Sequence, residues 1–301
     1  FTETDKALAY LREQGAPIVV KADGLAAGKG VIVAETLAQA EAAVVDMLSG
    51  NAFGEAGCRV VIEEFLSGEE ASFIVVADGT HALPMATSQD HKRIGEGDTG
   101  PNTGGMGAYS PAPVVTDAVH AQVMADIIEP TIAGMAKDGM PYTGFLYAGL
   151  MIDAEGNPRV IEFNCRFGDP ETQPIMQRLQ SALDQLCLAA LDGELQQQSV
   201  TWDERAALGV VLAAEGYPGS YDKGFVIEGL NQPQQSDVKV FHAGTQMQDG
   251  NVVTSGGRVL CVSALGDDIH SAQQRAYNAV VKLHWDGMTY RRDIGWRALA
   301  R

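Results

Sequence analysis

A glycine-rich segment between two apolar runs has the residue types that bind phosphate. Lys21–Gly30 contains three glycines and two lysines. Small residues let main-chain N–H groups close on an anion, and lysines supply positive charge to a phosphate chain. Lys21 ends an apolar run, where an unpaired ammonium group is costly unless an anion meets it. The segment therefore predicts a phosphate-binding loop, with a solvated hairpin as the alternative for the loop taken alone.

The spacing of this loop differs from two common phosphate-binding motifs. Three residues separate Gly24 from Gly28, whereas a Walker A loop has four between its glycines. Lys29 is followed by Gly30 instead of the Ser or Thr that a Walker A loop requires. The loop also leads into a predicted strand and not into a helix, which excludes a dinucleotide-binding fingerprint.

A carboxylate and an amide stand two residues apart in a second segment, Val160–Glu171. Glu162 and Asn164 project from one face of a predicted strand, because side chains alternate along a strand. Their oxygen atoms are hard ligands of the kind that magnesium prefers. Arg166 is expected to share that face and to pair with a transferring phosphoryl group. A polar strand end with Glu162 in a salt bridge is the alternative.

Two acidic pairs surround a short turn in a third segment. An apolar run ends in Glu63 and Glu64, and Glu69 and Glu70 follow the turn. Such an edge can offer main-chain hydrogen bonds to adenine and a carboxylate to ribose hydroxyls. Solvated acidic pairs are the alternative in so acidic a chain.

These groups need a scaffold, and hydrophobic periodicity with turn residues predicts one of mixed helices and strands. We predict a long loop from Gln89 to Pro113, functional or separately packed, and a domain boundary near Val200–Arg205. The predicted helices are Thr4–Gln14, Leu37–Leu48, Thr116–Lys137, Thr172–Leu191 and Ile269–His284. The predicted strands are Pro17–Ala22, Gly30–Ala34, Arg59–Phe65, Ala71–Ala77, His81–Met85, Gly144–Ile152, Arg159–Phe163, Ala207–Ala214, Val238–Gly244, Asn251–Thr254 and Arg258–Ala264.

Composition narrows the class of protein. The 301 residues suggest about two domains, and no apolar run reaches the roughly 18 residues that cross a bilayer. A net charge of −18 makes nucleic acid an unfavourable partner. The four cysteines have no C-x-x-C spacing, which indicates a reduced, cytoplasmic compartment.

The three segments, in this order, resemble the ATP-grasp superfamily, in which two α+β subdomains clasp ATP. Over essentially the whole chain the sequence is similar to phosphoribosylamine–glycine ligases, also called glycinamide ribonucleotide synthetases. The most specific element of this resemblance is the GPNTGGMG sequence at Gly100–Gly107. The other similar stretches are Lys21–Val31, Gln89–Arg93, Ile161–Thr172 and Arg292–Gly295. The implied fold is α+β: an ATP-grasp fold followed by a small mixed α/β C-terminal domain.

The resemblance implies a site for ATP, a metal site and a substrate site. The residues implied for ATP are Lys21, Gly24, Gly28, Lys29, Gly30, Glu63, Leu66 and Glu70. Those implied for Mg²⁺ or Mn²⁺ are Glu162 and Asn164. The implied catalytic residues are Arg166, Lys29 and Asp90, and the acceptor site is lined by Asp90, Lys92 and Arg93.

Arginines near the C-terminus are candidates for the ribose phosphate. Arg258 follows a Gly-Gly turn of the kind that forms an anion-binding nest, and Arg291 and Arg292 form a basic pair. A tight hairpin with a surface arginine is the alternative.

The implied reaction is ATP-dependent ligation of glycine to 5-phosphoribosylamine through glycyl phosphate, in de novo purine biosynthesis. The alternatives are another ATP-grasp carboxylate–amine ligase, a fragment that binds Mg-ATP without turnover, and a regulatory nucleotide-binding module. The partners implied are these small molecules, without nucleic acid or membrane, and we expect a cytoplasmic monomer.

The resemblance also implies domain limits. We expect an ATP-grasp lid subdomain at 1–68, a central subdomain with the metal site at 69–203 and a C-terminal domain at 204–301. Members of the family begin with a Rossmann-like domain that has no counterpart here, so Phe1 is expected to follow a missing domain.

Overall fold

The computed structural model describes residues 1–24, 30–50, 54–232 and 236–301. These residues form two compact units, Phe1–Ser67 and Gly68–Arg301. The sequence analysis predicted a first subdomain at 1–68. Residues 69–203 and 204–301, expected as two domains, lie together in the second unit.

The first unit is a three-stranded antiparallel sheet covered by two helices. The strand order is β2-β1-β3, and every second residue of β1, such as Ile18 and Val20, is buried against the helices. A capping box between Thr36 and Gln39 begins the second helix. The elements are α1 (Thr4–Gln14), β1 (Ile18–Ala22), β2 (Val31–Ala34), α2 (Leu37–Leu48), a 3₁₀ turn (Gly54–Gly57) and β3 (Val60–Glu64).

The second unit contains two larger sheets and their covering helices. Its strands are β4 (Glu69–Asp78), β5 (Ala82–Pro84), β6 (Gln89–Asp90), β7 (Arg93–Gly95), β8 (Thr99–Asn102), β9 (Gly107–Ser110), β10 (Thr143–Ile152), β11 (Pro158–Asn164), β12 (Ala206–Ala214), β13 (Val238–His242), β14 (Thr245–Gln248), β15 (Asn251–Thr254), β16 (Arg258–Gly266) and β17 (Met288–Thr289). Its helices are α3 (Asp117–Val123), α4 (Glu129–Lys137), α5 (Thr172–Arg178), α6 (Leu183–Asp192), α7 (Ile269–Val280) and α8 (Trp296–Leu299). A π turn, Met124–Ile128, joins α3 to α4, and 3₁₀ turns lie at Glu96–Asp98 and Leu195–Gln197.

The first of these sheets has the antiparallel order β11-β10-β4-β5. Alternation along β4 separates its two faces: Phe73 and Val75 pack with residues of the α3–α4 helix, whereas Ile74 and Val76 pack with residues of α5 and α6. The side that carries Ile74 also carries Glu70 and Ser72, because these residues have the same parity.

The second sheet has the order β13-β16-β12-β9-β6, with β17 beside β12. Its central strand β12 is buried at every residue. One face packs against α7 through Ala272, Ala276 and Val280. Strands β6 and β9 come from the segment before residue 113, so one sheet joins parts of the chain about a hundred residues apart.

Two predictions from the sequence are wrong in detail. The predicted loop from Gln89 to Pro113 contains four strands, β6 to β9, two of which complete the second sheet. They are only two to four residues long, too short to show a period. The predicted helix Thr172–Leu191 is two helices, because Leu179 is extended and bridges to Trp202. The other predicted helices and strands are confirmed, with ends shifted by a few residues.

In the part of the chain that the structure describes, no helix is long and apolar enough to cross a membrane.

The junction of β9 and β12 has no room for a side chain at Gly107. A Cβ atom there would lie 2.6 Å from the carbonyl oxygen of Gly209 and 2.9 Å from the Ile294 side chain. We expect Gly107→Ala to lower the free energy of unfolding by about 1–3 kcal/mol, as overpacking usually does. All three tryptophans lie in the second unit, so their fluorescence during urea denaturation measures this unit.

Gly134→Ala is the matched control, since a Cβ atom at Gly134 meets nothing within 4 Å. It lies within α4 and should raise stability by roughly 0.5–1 kcal/mol. Equal stability of the Gly107→Ala variant and the parent would contradict the packing described here.

Candidate active site

In the first unit, Lys21 and Glu63 meet on the face of the sheet that the helices leave open. Their parity is opposite to that of the buried Ile18 and Val20. The Lys21 ammonium lies 2.5 Å from Glu63 Oε2. The Lys21 ammonium, which the sequence analysis expected to meet an anion, therefore meets the Glu63 carboxylate. Both residues were predicted to bind ATP, and here they neutralise each other.

The structure describes some of the other residues predicted for ATP in this unit. Gly24 donates its N–H to the carbonyl of Ala56 at 3.0 Å, and a Cβ atom at Gly24 would lie 2.5 Å from Ala56 Cα. Gly30 accepts a hydrogen bond from Ala22, and Leu66 follows β3 half-buried. Gly28 and Lys29 lie outside the described residues.

In the second unit, one face of the β11-β10-β4 sheet carries a row of polar side chains. Residues that pair across antiparallel strands lie on the same face. Asn164 pairs with Tyr147, and Glu162 and Ser72 pair with Gly149 from opposite sides. Glu70 pairs with Met151 further along. We call this set the polar face: Glu70, Ser72, Tyr147, Glu162 and Asn164.

Glu162 and Asn164 form the predicted metal-ligand pair on the polar face. The Asn164 Nδ2 atom donates to Glu162 Oε1 at 3.1 Å, so the amide and the carboxylate are side by side. Glu162 is exposed to solvent. Among the described residues no cluster of three or more His, Cys, Asp or Glu side chains could hold a metal ion. An oxygen-only pair of this kind fits a magnesium ion that keeps water or phosphate oxygens as its other ligands.

A buried hydrogen-bond chain begins at Tyr147 and Ser72 on the same polar face. The Tyr147 hydroxyl lies 3.0 Å from Ser72 Oγ, and Ser72 Oγ donates to Glu171 Oε1 at 2.7 Å. Glu171 is 1% exposed, and its Oε2 atom has no hydrogen-bond partner in the described part of the chain. Burial raises the pKa of Tyr147, and the nearby carboxylates of Glu171 and Asp90 raise it further. The Arg166 guanidinium lies 5.7 Å from the centre of the Tyr147 ring.

Lys92 connects the polar face to strand β6. Its ammonium lies 2.8 Å from Glu70 Oε2. Burial lowers the pKa of Lys92, but Asp90 and Glu70 outweigh this and hold it well above its ordinary value. Burial raises the pKa of Asp90 to about 7, opposed by Lys92 and assisted by Glu171 and Glu70. The structure therefore places an acid with a pKa near neutrality beside a charged lysine.

The arginines predicted to line the acceptor site or to bind the ribose phosphate contact the protein. Arg258 makes a two-pronged ion pair with Asp169, at 2.9 and 2.5 Å, and donates to the carbonyl of Gly104. Arg93 donates to the carbonyl of Gly100. Both side chains thereby hold the GPNTGGMG loop. Arg292 is exposed, and its main-chain N–H donates to the Glu96 carboxylate.

Sequence reasoning assigned no role to several buried residues of this site. Ser72, Tyr147 and Glu171 are ordinary residues of strand and helix patterns taken singly. The signal available for Ser72 was its parity with Glu70 on one strand. Glu171 had no such signal, because its partner Ser72 lies 99 residues away.

The fold and this site define the class of protein as an ATP-grasp ligase. Residues 1–172 match the family described as phosphoribosylglycinamide synthetase, ATP-grasp (A) domain, and residues 207–297 match its C domain. The chain belongs to this family, whose members are ATP-dependent phosphoribosylamine–glycine ligases of purine biosynthesis.

Individual relatives agree with this assignment. The chain is 68% identical over 301 residues to the phosphoribosylamine–glycine ligase of Vibrio parahaemolyticus and 69% identical over 302 residues to that of Escherichia coli O6:H1. All of this chain and 70% of each relative are covered. The crystal structure of the Thermotoga maritima phosphoribosylamine–glycine ligase matches with a TM-score of 0.87 and 35% identity, over 97% of this chain and 73% of that one. Biotin carboxylase from Campylobacter jejuni shares the fold, with a TM-score of 0.72 and 15% identity, over 99% of this chain and 64% of that one.

The pKa of Asp90 predicts how stability depends on pH. An exposed Asp titrates near pKa ~3.9, so the unfolded chain loses this proton while folded Asp90, with a pKa of about 7, keeps it. The folded state binds more protons across this window, so the Asp90 contribution to the free energy of unfolding falls as pH rises from about 4 to about 7. We expect the stability of the parent relative to Asp90→Asn to decline over that window in urea denaturation.

Asp153→Asn is the control, because hydrogen bonds from Asn157 lower the pKa of exposed Asp153 and keep it charged across the window. A parent-minus-variant difference for Asp90→Asn that stays constant from about pH 4 to about pH 7 would contradict the raised pKa.

Proposed function

We propose that this chain joins glycine to 5-phosphoribosylamine at the expense of ATP, giving glycinamide ribonucleotide, ADP and phosphate. The observation that carries the proposal is the polar face. It sets an oxygen pair suited to a divalent metal, Glu162 and Asn164, on the same sheet surface as the Lys92–Glu70 ion pair. Family membership over the whole chain supports the choice of substrates.

The proposed reaction has two steps. A carboxylate oxygen of glycine attacks the γ-phosphorus of ATP, and the bond to the bridging oxygen breaks to release ADP and leave glycyl phosphate. The amine of phosphoribosylamine then attacks the carbonyl carbon, loses a proton and expels phosphate. Both steps depend on positioning and on neutralising negative charge, and neither needs a nucleophilic side chain.

The proposed roles for ATP follow the resemblance described above. Lys21 and Lys29 bind the phosphates, and the glycines at 24, 28 and 30 let the main chain approach them. Glu63 and the main chain of Leu66 bind adenine, and Glu70 binds the ribose. Because Lys21 and Glu63 are paired with each other here, binding of ATP exchanges that pair for contacts with the nucleotide.

Glu162 and Asn164 are the residues proposed to hold Mg²⁺, or Mn²⁺, which neutralises charge on the phosphates when bound. Arg166 is proposed to stabilise the transferring phosphoryl group. Lys92 and Arg93 line the acceptor site, and Arg258 and Arg292 are proposed to bind the ribose phosphate. Asp90 is proposed to accept the amine proton, because a pKa of about 7 suits a general base near neutral pH.

We further propose a cytoplasmic monomer with small-molecule partners alone. The net charge of −18 opposes nucleic acid, and the four cysteines are free thiols, as a reducing compartment requires.

The direct test is a coupled assay of ADP release by the full chain with ATP and Mg²⁺. We expect release to require both glycine and phosphoribosylamine, with glycinamide ribonucleotide as the product. Turnover with a different carboxylate but none with glycine would move the chain to another ligation reaction. Calorimetric binding of ATP without ADP release under any substrate would contradict catalysis by this chain.

A second test addresses the metal pair. We expect Glu162→Gln to lower kcat/KM about 100-fold or more, since metal-assisted charge neutralisation is worth several kcal/mol. The Mg²⁺ concentration for half-maximal rate should rise as well. Glu155→Gln, in the exposed turn before β11, is the matched control and should behave as the parent. An unchanged Mg²⁺ requirement in Glu162→Gln would assign the metal to other residues.

A further inference from the structure

A segment near the C-terminus is hydrogen-bonded to the segment that follows Asp90. Segment 291–297 meets segment 91–98 through main-chain and side-chain hydrogen bonds across roughly two hundred residues of sequence. The Gly97 N–H donates to Asp293 Oδ2 at 2.8 Å, and the Arg292 N–H donates to Glu96 Oε1 at 3.2 Å. Arg297 donates to Asp98 Oδ2 at 2.6 Å.

Arg291 is the centre of this contact. Its side chain is 1% exposed, and its guanidinium binds both oxygens of Asp293, at 2.8 and 2.7 Å. The remaining terminal nitrogen donates to Asp98 Oδ1 at 2.9 Å and to the carbonyl of Arg93 at 3.0 Å. A planar guanidinium can meet this set of acceptors at fixed angles, whereas a lysine ammonium is a point charge. We call Arg291, Asp293, Asp98 and Arg297 the C-terminal clasp.

His91 connects the clasp to the candidate active site, because it lies between Asp90 and Lys92 in sequence. It is fully buried, and its Nε2 atom accepts the N–H of Gly295 at 3.2 Å. Burial, assisted by Arg291 and Arg297, lowers the pKa of His91 to about 3. The imidazole is therefore neutral and a constant acceptor at physiological pH.

Arg291 and Asp293 themselves have no part in the chemistry proposed above. Arg291 makes four hydrogen bonds to the protein, so it is engaged in structure and not presented to a phosphate. The segment it holds begins one residue after Asp90 and contains Lys92, whose ion pair with Glu70 joins it to the polar face. Loss of the clasp would free segment 91–98, on which the positions of Asp90 and Lys92 depend.

We propose that Arg291 and Asp293 are positioning residues that hold segment 91–98 so that Asp90 stays buried and Lys92 stays against Glu70. Their role in turnover rests on the function proposed above, whereas their role in placing Asp90 does not. Through these contacts Arg291 and Asp293 support the candidate acceptor site without contacting substrate.

The test compares Arg291→Lys with Arg275→Lys in the full chain. Arg275 is a matched control, since it also pairs with an aspartate, Asp237, and donates to a carbonyl, that of Leu265, but does not contact segment 91–98. In Arg291→Lys we expect hydrogen exchange of the Gly97 amide to quicken about tenfold or more. The carboxyl titration of Asp90, followed by ¹³C NMR, should move from about 7 towards the ordinary ~3.9 as Asp90 loses its burial.

In turnover, Arg291→Lys should lower kcat/KM for the amine substrate about tenfold to a hundredfold, as misplacement of binding groups does. Arg275→Lys should stay within about twofold of the parent in all three measurements. Asp293→Asn, which keeps the shape of the side chain, is the second variant if Arg291→Lys does not fold, and the same changes with smaller size are expected.

Two outcomes would overturn the proposal. The first is an Asp90 titration and Gly97 exchange that match the parent in both clasp variants. The second is an equal loss of kcat/KM in Arg275→Lys, which would indicate general destabilisation. Absence of glycine-dependent turnover in the parent would instead contradict the proposed function. The Gly97 exchange and the Asp90 titration would still test the positioning role of the clasp.

Discussion

The pairing of β9 with β12 is the contact on which the candidate acceptor site depends. Gly107 pairs with Val210, and Ser110 pairs with Ala207, so a segment from the first half of the chain becomes a strand of the C-terminal sheet. Strand β6 then pairs with β9, which puts Asp90 on the same sheet. The approach is so close at Gly107 that no side chain fits. Residues in the range of the family's C domain therefore support a candidate acceptor site whose residues lie in the range of its A domain.

Charge pairing is the second constraint, and it follows from the acidity of the chain. With 39 acidic and 21 basic side chains, a cation at a functional position has carboxylates close by. Lys21 meets Glu63, Lys92 meets Glu70, and Arg258 meets Asp169. Binding of an anionic substrate at these cations would therefore exchange a carboxylate of the protein for a group of the substrate.

The hydrophobic pattern of the sequence was sufficient to predict the longer helices and strands. Helices α1 and α2 begin and end at the predicted residues, and β10 and β12 lie within one residue of their predicted limits. The placement of Glu162 and Asn164 side by side was predictable for the same reason, since they are two residues apart on one strand. The strands between Gln89 and Pro113 were not, because they are only two to four residues long. One of them, β9, also takes a partner strand, β12, from about a hundred residues later.

Residue types and spacing alone were enough to define the family resemblance and to propose a phosphate-type loop and a metal-ligand pair, because each of these depends on neighbours within about ten positions. The fold in three dimensions assigned Arg291 to the clasp, joined Lys92 to Glu70, and buried Asp90 and Glu171. Those outcomes depend on contacts between residues 22 to about 200 positions apart, and on burial, which changes the ionisation of a group through the loss of water and not through its sequence neighbours.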